Sequence, residues 1–324
     1  MEDKRIRNLN SFFRHVFGCK VKKVILWGGF TCPNRDGTFS SMGCTFCNPL
    51  SSRPETFEEG KSIAQQMEDG CRYIARRYGV QCFLPYFQDY TATYGDPVEL
   101  DALYSEAISH PGVVGLSLCT RPDCLEEPML DYIEDLSGRI FLWVELGVQT
   151  SDDRILESMN RCHTSRETMN AFRALHSRKI FSSAHMIIGY PGSSVETVLA
   201  DAEFIRKTRT DGVKLQNLHV IKNTLIADQF ASGEFELLTM EEYVDLVILF
   251  LEHTEPRVVI LRLTGEAPEE LTVAPEWSLY KMIVLNRIHE EMQRRDTWQG
   301  KALGFNRSSV ESPPDNIRDH WRPD

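Results

Sequence analysis

Three cysteines have the residue type and the spacing to hold a metal centre. Cys32, Cys44 and Cys47 follow the pattern C-x11-C-x2-C. The short spacing between Cys44 and Cys47 lets both sulfurs converge on one centre, and the glycine-bearing loop at residues 33–43 can fold back to bring in Cys32. Three thiolates leave one iron of a 4Fe–4S cluster without a protein ligand, so the pattern predicts a cluster with an open iron.

A structural zinc site is one alternative, although such sites normally have four protein ligands. Cys19 is the candidate fourth ligand, but its spacing to Cys32 forms no second pair and it precedes the first predicted strand. A chance grouping of three thiols is the other alternative. The sequence has no second C-x2-C pair, so a further cluster is not expected. Cys71 and Cys82 lie in apolar patterns, where a buried thiol acts as a small hydrophobe.

The elements around these cysteines follow a strand–helix alternation. Apolar, β-rich runs are each followed by a segment with helical spacing, which predicts repeated βα units. Consecutive strands begin roughly 30 residues or more apart, which is long enough for a helical crossover, so either a parallel α/β barrel or an open sheet is expected. The predicted strands are residues 24–27, 82–87, 113–118, 141–148, 181–188 and 213–220, with a possible seventh at 258–263.

The element ends carry their own signals. Gly79 is expected to end the first long helix, and Thr239 with Glu242 forms a capping-box pattern that opens another. A final amphipathic helix is predicted at about residues 277–295. Pro85 cannot donate to a sheet, so the second strand is expected to be short or at an edge. In α/β barrels the loops after the strands build the active site. The segment that carries Cys32, Cys44 and Cys47, which we call the cysteine loop, follows the first strand.

Composition narrows the class of protein. The 324 residues are 42% hydrophobic and 26% charged, which is typical of a globular chain with one large core. The net charge of −11 disfavours nonspecific binding to nucleic acid or anionic membrane. No apolar run approaches the ~18 residues of a membrane span, so we expect a cytoplasmic protein. Nine cysteines in such a chain argue against a disulfide framework and favour metal or redox chemistry.

Seven segments, taken together, resemble those of the radical S-adenosylmethionine (SAM) superfamily. They resemble its Elongator-like group, and within that group the bacterial YhcC/YtqA-like subgroup. The resemblance covers roughly residues 10–300. The segments are GFTCPNRDGTFSSMGCTFCN, FQDYTATYGDP, TRPDCL, ELGVQTSDDRILESMNRCHT, MIIGYPGSSVET, LQNLHVIKNT and RLTGEAPEELTVAPEWSLYK.

The resemblance implies a partial (β/α)6 TIM-type barrel at residues 21–255. An extension at residues 1–20 would precede it, and a mainly helical segment at residues 256–324 would cover it. The family's three cysteines bind a 4Fe–4S cluster whose fourth iron binds the amino and carboxylate groups of SAM. One electron then cleaves SAM to a 5′-deoxyadenosyl radical, which abstracts hydrogen from the substrate.

The resemblance also assigns an adenine site. Phe46 occupies the aromatic position that lies beside adenine in this superfamily, and packing within its loop is the alternative. The segment HMIIG resembles the family's G-x-I-x-G element, in which Ile187 and Gly189 accommodate the adenine ring. His185 stands where that element has its first glycine, so the match is incomplete there.

Gln88 and Asp89 end the second strand, where many members carry Gly-Gly-Glu to hold the SAM amino group. That tripeptide is absent, so the Gln88 amide or backbone carbonyls are expected to replace it, with an ordinary rim position as the alternative. Glu145 and Gln149 are predicted to contact the ribose or the methionyl end of SAM, because residues four apart share one face of a strand. Pairing with each other inside the barrel is the alternative. Arg161 is predicted to pair with the SAM carboxylate, with an exposed helix-end arginine as the alternative.

Polar residues near the strand ends are predicted to face the substrate. Each alone is more often an ordinary rim residue, but together they indicate a polar or anionic substrate group. The predicted substrate-binding residues are Tyr90, Arg121, His219 and Arg262, with Tyr94, Asp123 and Lys222 nearby in the same group.

The hypothesis from the sequence is a radical SAM enzyme whose substrate is a small metabolite, a protein or tRNA. Its partners would be SAM and a low-potential one-electron reductant such as flavodoxin or ferredoxin. The alternative is a non-catalytic module, stabilised by zinc or an iron–sulfur cluster, that binds RNA or a protein. The net negative charge weighs against RNA.

Overall fold

The computed structural model describes residues 4–48, 50, 53–54 and 56–311. The outer ends of the two predicted extensions, residues 1–3 and 312–324, lie outside this part. One hydrophobic core contains both Val24 of the predicted barrel and Val284 of the predicted C-terminal segment, so that segment packs on the barrel. The division at residues 20 and 255 stays a prediction.

A parallel sheet of seven strands curls into a half-barrel, which confirms the predicted α/β partial TIM barrel. The predicted strands are present with ends shifted by up to three residues, and the predicted strand 213–220 is split in two. In spatial order the strands are β1 (Val21–Leu26), β2 (Cys82–Phe87), β3 (Gly115–Thr120), β4 (Phe141–Gln149), β5 (Phe181–Ile188), β6 (Gly212–Asn217) and β8 (Val259–Arg262). A separate antiparallel pair joins β7 (Val220–Ile221) to β9 (Thr272–Ala274).

Helices connect these strands. The predicted capping box opens α9 at Thr239, and α2 ends at Gly79, whose φ of 63° suits glycine. Helices α1, α5 and α8 were not predicted from the sequence. The six residues of α5 and the seven of α8 are too few to show helical periodicity. None of the described helices has the length and apolar character that a membrane span requires. The helices are α1 (Leu9–Phe17), α2 (Ile63–Tyr78), α3 (Pro97–Ile108), α4 (Glu127–Arg139), α5 (Asp153–Ser158), α6 (Ser165–Ser177), α7 (Val195–Lys207), α8 (Leu225–Ala231), α9 (Met240–Glu252) and α10 (Lys281–Arg294).

The expectation that Pro85 puts β2 at an edge is wrong. β2 lies between β1 and β3 and pairs with β1 along all its residues, including Val24 with Pro85. Its ladder with β3 contains only Tyr86 and Phe87. Pro85 lies just before that short ladder, so its missing N–H falls where β2 has no ladder partner in β3.

Cys19 and Cys82 form one disulfide, although the cysteine pattern argues against a disulfide framework. The parallel register of β1 and β2 places Val21 beside Cys82, and Cys19 lies two residues before Val21. Cys82 is therefore not a buried thiol, and Cys19 is not available as a fourth metal ligand. The other seven cysteines are free.

The first helix, α1, closes the barrel at the amino ends of the strands. The ring of Phe12 packs edge-on against Trp143, with centroids 5.3 Å apart, and the ring of Phe17 packs against Phe141 at 5.2 Å. Because this end is filled, the interior opens at the carboxyl ends of the strands, where the cysteine loop leaves β1. We define the aromatic plug as Phe12, Phe13, Phe17, Phe141, Trp143 and Phe181.

Replacing Phe12 with alanine tests the aromatic plug. Phe12 is 2% exposed, and loss of a buried phenylalanine ring removes burial and leaves a cavity, at a cost of about 3 to 5 kcal/mol. We expect the free energy of unfolding in urea to fall by that amount. Phe39→Ala is the matched control, because Phe39 is 52% exposed and its loss should change stability by less than about 0.5 kcal/mol. Equal losses in both variants would contradict the plug.

Candidate active site

The cysteine loop leaves the carboxyl end of β1, and Asp89 holds its base. The Asp89 carboxylate accepts the backbone N–H of Gly28 at 3.1 Å and that of Phe30 at 3.3 Å. Its side chain is buried, and burial raises the pKa of Asp89 to about 6. Asp89 therefore positions the start of the loop, and its contact with the SAM amino group stays a prediction.

The loop folds back on itself, as the sequence predicts. The Phe39 N–H donates to the Pro33 carbonyl at 2.8 Å, and the Gly43 N–H donates to the Asn34 carbonyl at 2.8 Å. Gly43 has a φ of 75°, and a Cβ there would lie 2.8 Å from the Arg35 side chain. Glycine is therefore required where the chain returns toward the paired cysteines.

Asn160 ties this loop to the segment after α5. Its carbonyl accepts from Asn34 Nδ2 at 2.5 Å, and its own Nδ2 donates to the Gly43 carbonyl at 2.7 Å. Asn34 Nδ2 also lies 3.4 Å from Cys44 Sγ. The sequence analysis missed both asparagines, although each is a sequence neighbour of a residue that now lies beside the thiols.

Three arginines surround the thiols. Arg161 Nη1 donates to Cys44 Sγ at 3.2 Å, and Arg35 Nη2 donates to the Cys47 carbonyl at 2.6 Å. Arg121 donates to the Arg161 carbonyl at 2.6 Å and so supports it. The positive charges of these arginines stabilise negative charge on the sulfurs of the cysteine triad, Cys32, Cys44 and Cys47.

The two paired cysteines have opposite pKa shifts. Burial raises the pKa of a thiol, but at Cys44 the charges of Arg161 and Arg121 outweigh burial and lower the pKa. At Cys47, burial and the neighbouring Cys44 thiolate raise the pKa to about 11. Because the thiolate is the form that binds metal, Cys44 is the better prepared of the two.

The side chains at the cysteine loop decide which kind of metal centre they could hold. In the described part of the chain, no three histidine, cysteine, aspartate or glutamate side chains converge on a single metal-ion position. Cys32, Cys44 and Cys47 are all free, and thiolates are the usual ligands of iron–sulfur clusters. Three thiols surrounded by cations fit a thiolate-ligated, negatively charged cluster.

The residues predicted to contact adenine lie together. The Phe46 ring packs edge-on against Tyr190 with centroids 6.5 Å apart, in an apolar cluster that includes Ile187. Gly189 has a φ of 86°, and a Cβ there would lie 2.5 Å from Leu238. The backbone conformation and close packing at this point therefore require glycine, while the adenine contacts stay predictions.

The side chains of Gln149 and Arg161 both pack against Gly147. A Cβ at Gly147 would lie 3.1 Å from Gln149 Nε2 and 3.2 Å from Arg161 Nη2. Arg161 is 6% exposed, so the alternative of an exposed helix-end arginine is wrong. Among the described residues, the buried Oε1 of Gln149 has no hydrogen-bond partner, which suits a polar ligand. Gln88 is partly exposed at the rim, and the SAM contacts of all three stay predictions.

The period-two alternation that predicts one strand face for Glu145 and Gln149 is interrupted between them. Leu146 pairs with Ala184 of β5, whereas Gln149 pairs with Met186, so three steps along β4 match two along β5. Gln149 also has a φ of 72°. Regular alternation does not continue through such an irregularity.

Glu145 instead lies fully buried in the barrel interior. Its Oε1 accepts from Lys23 and from the Ser117 hydroxyl. Its Oε2 accepts from His185 Nε2 at 2.7 Å and lies 3.6 Å from Lys214 Nζ. Both carboxylate oxygens of Glu145 thus have protein partners. The contact of Glu145 with SAM stays a prediction. We define the charged layer as Lys23, Tyr86, Ser117, Glu145, His185, Lys214 and Arg262.

Burial and charge set the protonation states in the charged layer. Burial alone would raise the pKa of Glu145, but the charges of Lys23 and Lys214 hold it well below its ordinary 4.5. Burial, with the Lys214 charge, lowers the pKa of His185 to about 4, so the imidazole is neutral at neutral pH. Burial lowers the pKa of Lys214 to about 8, which keeps the amine largely charged.

The sequence analysis missed Lys23 and Lys214 as interior residues. Lys23 lies directly before the apolar run Val24, Ile25 and Leu26, and Lys214 lies between Val213 and Leu215; a lysine next to apolar strand residues was the available signal. Lys214 Nζ donates to Tyr86 Oη at 2.9 Å, and Lys23 Nζ lies 4.2 Å from the centre of the Tyr86 ring. The two lysines therefore contact the same tyrosine, although β1 and β6 lie toward opposite edges of the sheet.

The predicted substrate residues do not form one continuous group. Arg121 makes two hydrogen bonds to Asp123, at 2.9 and 2.7 Å, beside the cysteine triad. Tyr90 is partly buried after β2. His219 follows β6, and burial together with the charge of Arg262 lowers the pKa of His219 to about 4. Arg262 and His219 are thus neighbours near β6 and β8, and their contact with substrate stays a prediction.

Comparison with known families identifies the class of protein. Residues 35–205 match the Radical SAM superfamily, and residues 210–294 match the Radical_SAM C-terminal domain. The chain therefore belongs to the radical SAM superfamily. Members of this superfamily are generally catalytic, and membership supports SAM-dependent radical chemistry.

Individual relatives confirm the resemblance to the YhcC/YtqA-like proteins. The chain is 35% identical to YtqA of Bacillus subtilis over 310 residues, which cover 96% of each protein. It is 32% identical to YhcC of Escherichia coli over 289 residues, which cover 89% of this chain and 92% of YhcC. The structure of archaeal Methanocaldococcus infernus Elp3 with an N-terminal deletion has a TM-score of 0.67 at 18% identity. That match covers 86% of this chain but 64% of the Elp3 chain, and it shows the fold.

Glu145→Gln tests the ion pairs of the charged layer. Removing the carboxylate leaves Lys23 and Lys214 without their counterion, which should lower the free energy of unfolding by about 3 to 5 kcal/mol at neutral pH. The pKa of Glu145 is lower in the folded state than in the unfolded state. The ionised carboxylate therefore contributes its full stabilisation at pH values above its unfolded-state pKa, and this stabilisation is lost as the pH falls through its folded-state pKa. The difference between wild type and variant should therefore shrink in acid.

Urea unfolding at neutral and acidic pH measures this difference. Glu126→Gln is the control, because Glu126 is exposed and its side chain does not cap α4. A stability difference for Glu145→Gln that stays constant with pH would show that the ionised carboxylate is not what stabilises the interior.

Proposed function

We propose that this chain is a radical SAM enzyme that binds a 4Fe–4S cluster through Cys32, Cys44 and Cys47. When bound, such a cluster would supply the electron that breaks a C–S bond of SAM, giving methionine and a 5′-deoxyadenosyl radical that would abstract hydrogen from the substrate. The observation that carries the proposal is the cysteine loop, which leaves the open end of the half-barrel with three free thiols and a surround of arginines.

The protein's own part in this chemistry is to position and shield. Asp89 and Asn160 hold the loop at two points, so the thiols are arranged by the fold. Preorganised groups cost no rearrangement when a ligand binds. Arg161 and Arg35 place positive charge beside the sulfurs, and the aromatic plug closes the far end of the interior to water.

The SAM site of this proposal lies around the cysteine loop. Phe46, Ile187 and Gly189 would receive the adenine, and the unpartnered Oε1 of Gln149 would accept from a hydroxyl or amino group of SAM. Gln88 at the rim would contact the methionyl end. We also propose that a low-potential one-electron donor, such as flavodoxin or ferredoxin, reduces the cluster.

Cys44→Ala should abolish SAM cleavage. The test is anaerobic reconstitution with iron and sulfide, reduction with dithionite in the presence of SAM, and quantification of 5′-deoxyadenosine. Iron and acid-labile sulfide are measured on the same samples. We expect a cluster and 5′-deoxyadenosine in the wild type, and loss of 5′-deoxyadenosine in the variant because one of three ligands is missing.

Cys71→Ala is the matched control. Cys71 is a buried free cysteine on α2, where its Sγ lies 3.7 Å from His110 Nδ1, and it has no place in the cysteine loop. It should cleave SAM as the wild type does. Stoichiometric zinc without sulfide in the wild type, or full activity in Cys44→Ala, would refute the proposed function.

A further inference from the structure

The charged layer holds more positive than negative charge. Of its seven residues, Lys23, Lys214 and Arg262 are cations, and Glu145 is the carboxylate that the two lysines share. His185 is neutral at neutral pH, because burial and Lys214 lower its pKa. The excess is notable in a chain whose net charge is −11, since composition alone favours the opposite sign.

Arg262 carries the unbalanced charge. Its Nη2 donates to the neutral Gln216 amide oxygen at 3.0 Å. Its Nε is buried and has no hydrogen-bond partner in the part of the chain that the structure describes. An arginine cannot shed its proton to escape burial, and a buried cation without a counterion is costly.

A second unpartnered atom belongs to His219, whose pKa the charge of Arg262 helps to lower. His219 Nδ1 lies 3.4 Å from Ser278 Oγ, while the buried Nε2 has no partner among the described residues. Glu266, whose charge also reaches His219, is paired with Lys281 at 2.9 Å. No ion pair within the described residues therefore neutralises Arg262.

The position of these groups suits a ligand that enters from the open end. The aromatic plug lies below the charged layer, and the cysteine loop lies at the opposite end of the strands. Arg262, Gln216, Lys23 and Cys119 all remain partly exposed, so solvent reaches the layer. A group that passes the cysteine loop would meet Arg262 and the lysines before it reached the plug.

We propose that Arg262, with Lys214, Lys23 and His219, binds an anionic group, a carboxylate or a phosphate, of a small-molecule substrate. The inference rests on the proposed function, because it assigns the anion to the substrate of the radical reaction. The anion supplies the missing counterion of Arg262 and accepts from its unpartnered Nε. Binding in this layer directs the remainder of the substrate toward the cysteine loop.

Arg262→Gln tests the site in the reconstituted protein with SAM bound. Inorganic phosphate and malonate are titrated at constant ionic strength against chloride, with binding followed by calorimetry and by the thermal unfolding midpoint. We expect at least one anion to bind the wild type and raise its midpoint. Loss of a charge-assisted hydrogen bond should weaken binding by about ten- to a hundredfold in Arg262→Gln.

Two further variants control for folding and for general charge. Arg166→Gln removes an exposed arginine on α6 and should bind the anion as the wild type does. Arg262→Lys keeps the charge and should retain part of the binding. Without added anion, Arg262→Gln should unfold at the same or a higher temperature than the wild type, because it removes an unpaired buried charge. A structural arginine would give the opposite shift.

The outcomes separate this inference from the proposed function. Formation of 5′-deoxyadenosine by a wild type that binds neither anion would overturn the inference alone. Weaker SAM binding with unchanged anion binding in Arg262→Gln would assign the guanidinium to SAM and overturn it too. Anion binding without any SAM cleavage would remove the substrate role, and with it the inference as stated. The preferred anion distinguishes a phosphate-bearing from a carboxylate-bearing substrate.

Discussion

The half-barrel is organised around one buried carboxylate. Glu145 on β4 is fully buried, and its partners come from β1, β3, β5 and β6. β1 and β4 are not neighbours in the sheet, so the contact between Lys23 and Glu145 crosses the interior. Such a contact exists only when the sheet is curled, and a buried carboxylate is tolerable only when it is paired. Curvature and charge pairing therefore depend on each other.

This arrangement divides the interior into levels. Aromatic rings from α1, β4 and β5 fill the amino end and keep it dry, and the charged layer lies above them. The thiols lie at the carboxyl end, where Asp89 and Asn160 anchor their loop. The apolar aromatic plug strengthens the electrostatic interactions of the charged layer, because an apolar medium screens charges weakly.

Arginines serve different purposes at the two polar levels. At the cysteine loop, each guanidinium nitrogen of Arg161 has an acceptor, in Cys44 Sγ, the His163 ring and the Gly147 carbonyl, so Arg161 acts as a fixed part of the site. In the charged layer, Arg262 retains an unpartnered buried donor. A buried donor without a hydrogen-bond partner is energetically costly. Proteins tolerate this cost mainly at functional sites, where a bound ligand accepts the hydrogen bond.

The sequence alone determined the order of the seven sheet strands and of most of the helices between them, the spacing of the three cysteines and the superfamily. These features depend on local periodicity and on motifs within one segment, and both are readable without contacts. It did not determine the disulfide between Cys19 and Cys82, the central place of β2, or the irregularity that separates Glu145 from Gln149.

Only the tertiary structure decided which polar side chains meet. Lys23 and Lys214 lie 191 positions apart in the chain, yet both reach Glu145 because the sheet curls and its register aligns their strands. Strand periodicity states which residues share a face, but not how far the sheet bends or where a bulge shifts the register. The charged interior is therefore a property of the fold, whereas the cysteine loop is a property of the sequence.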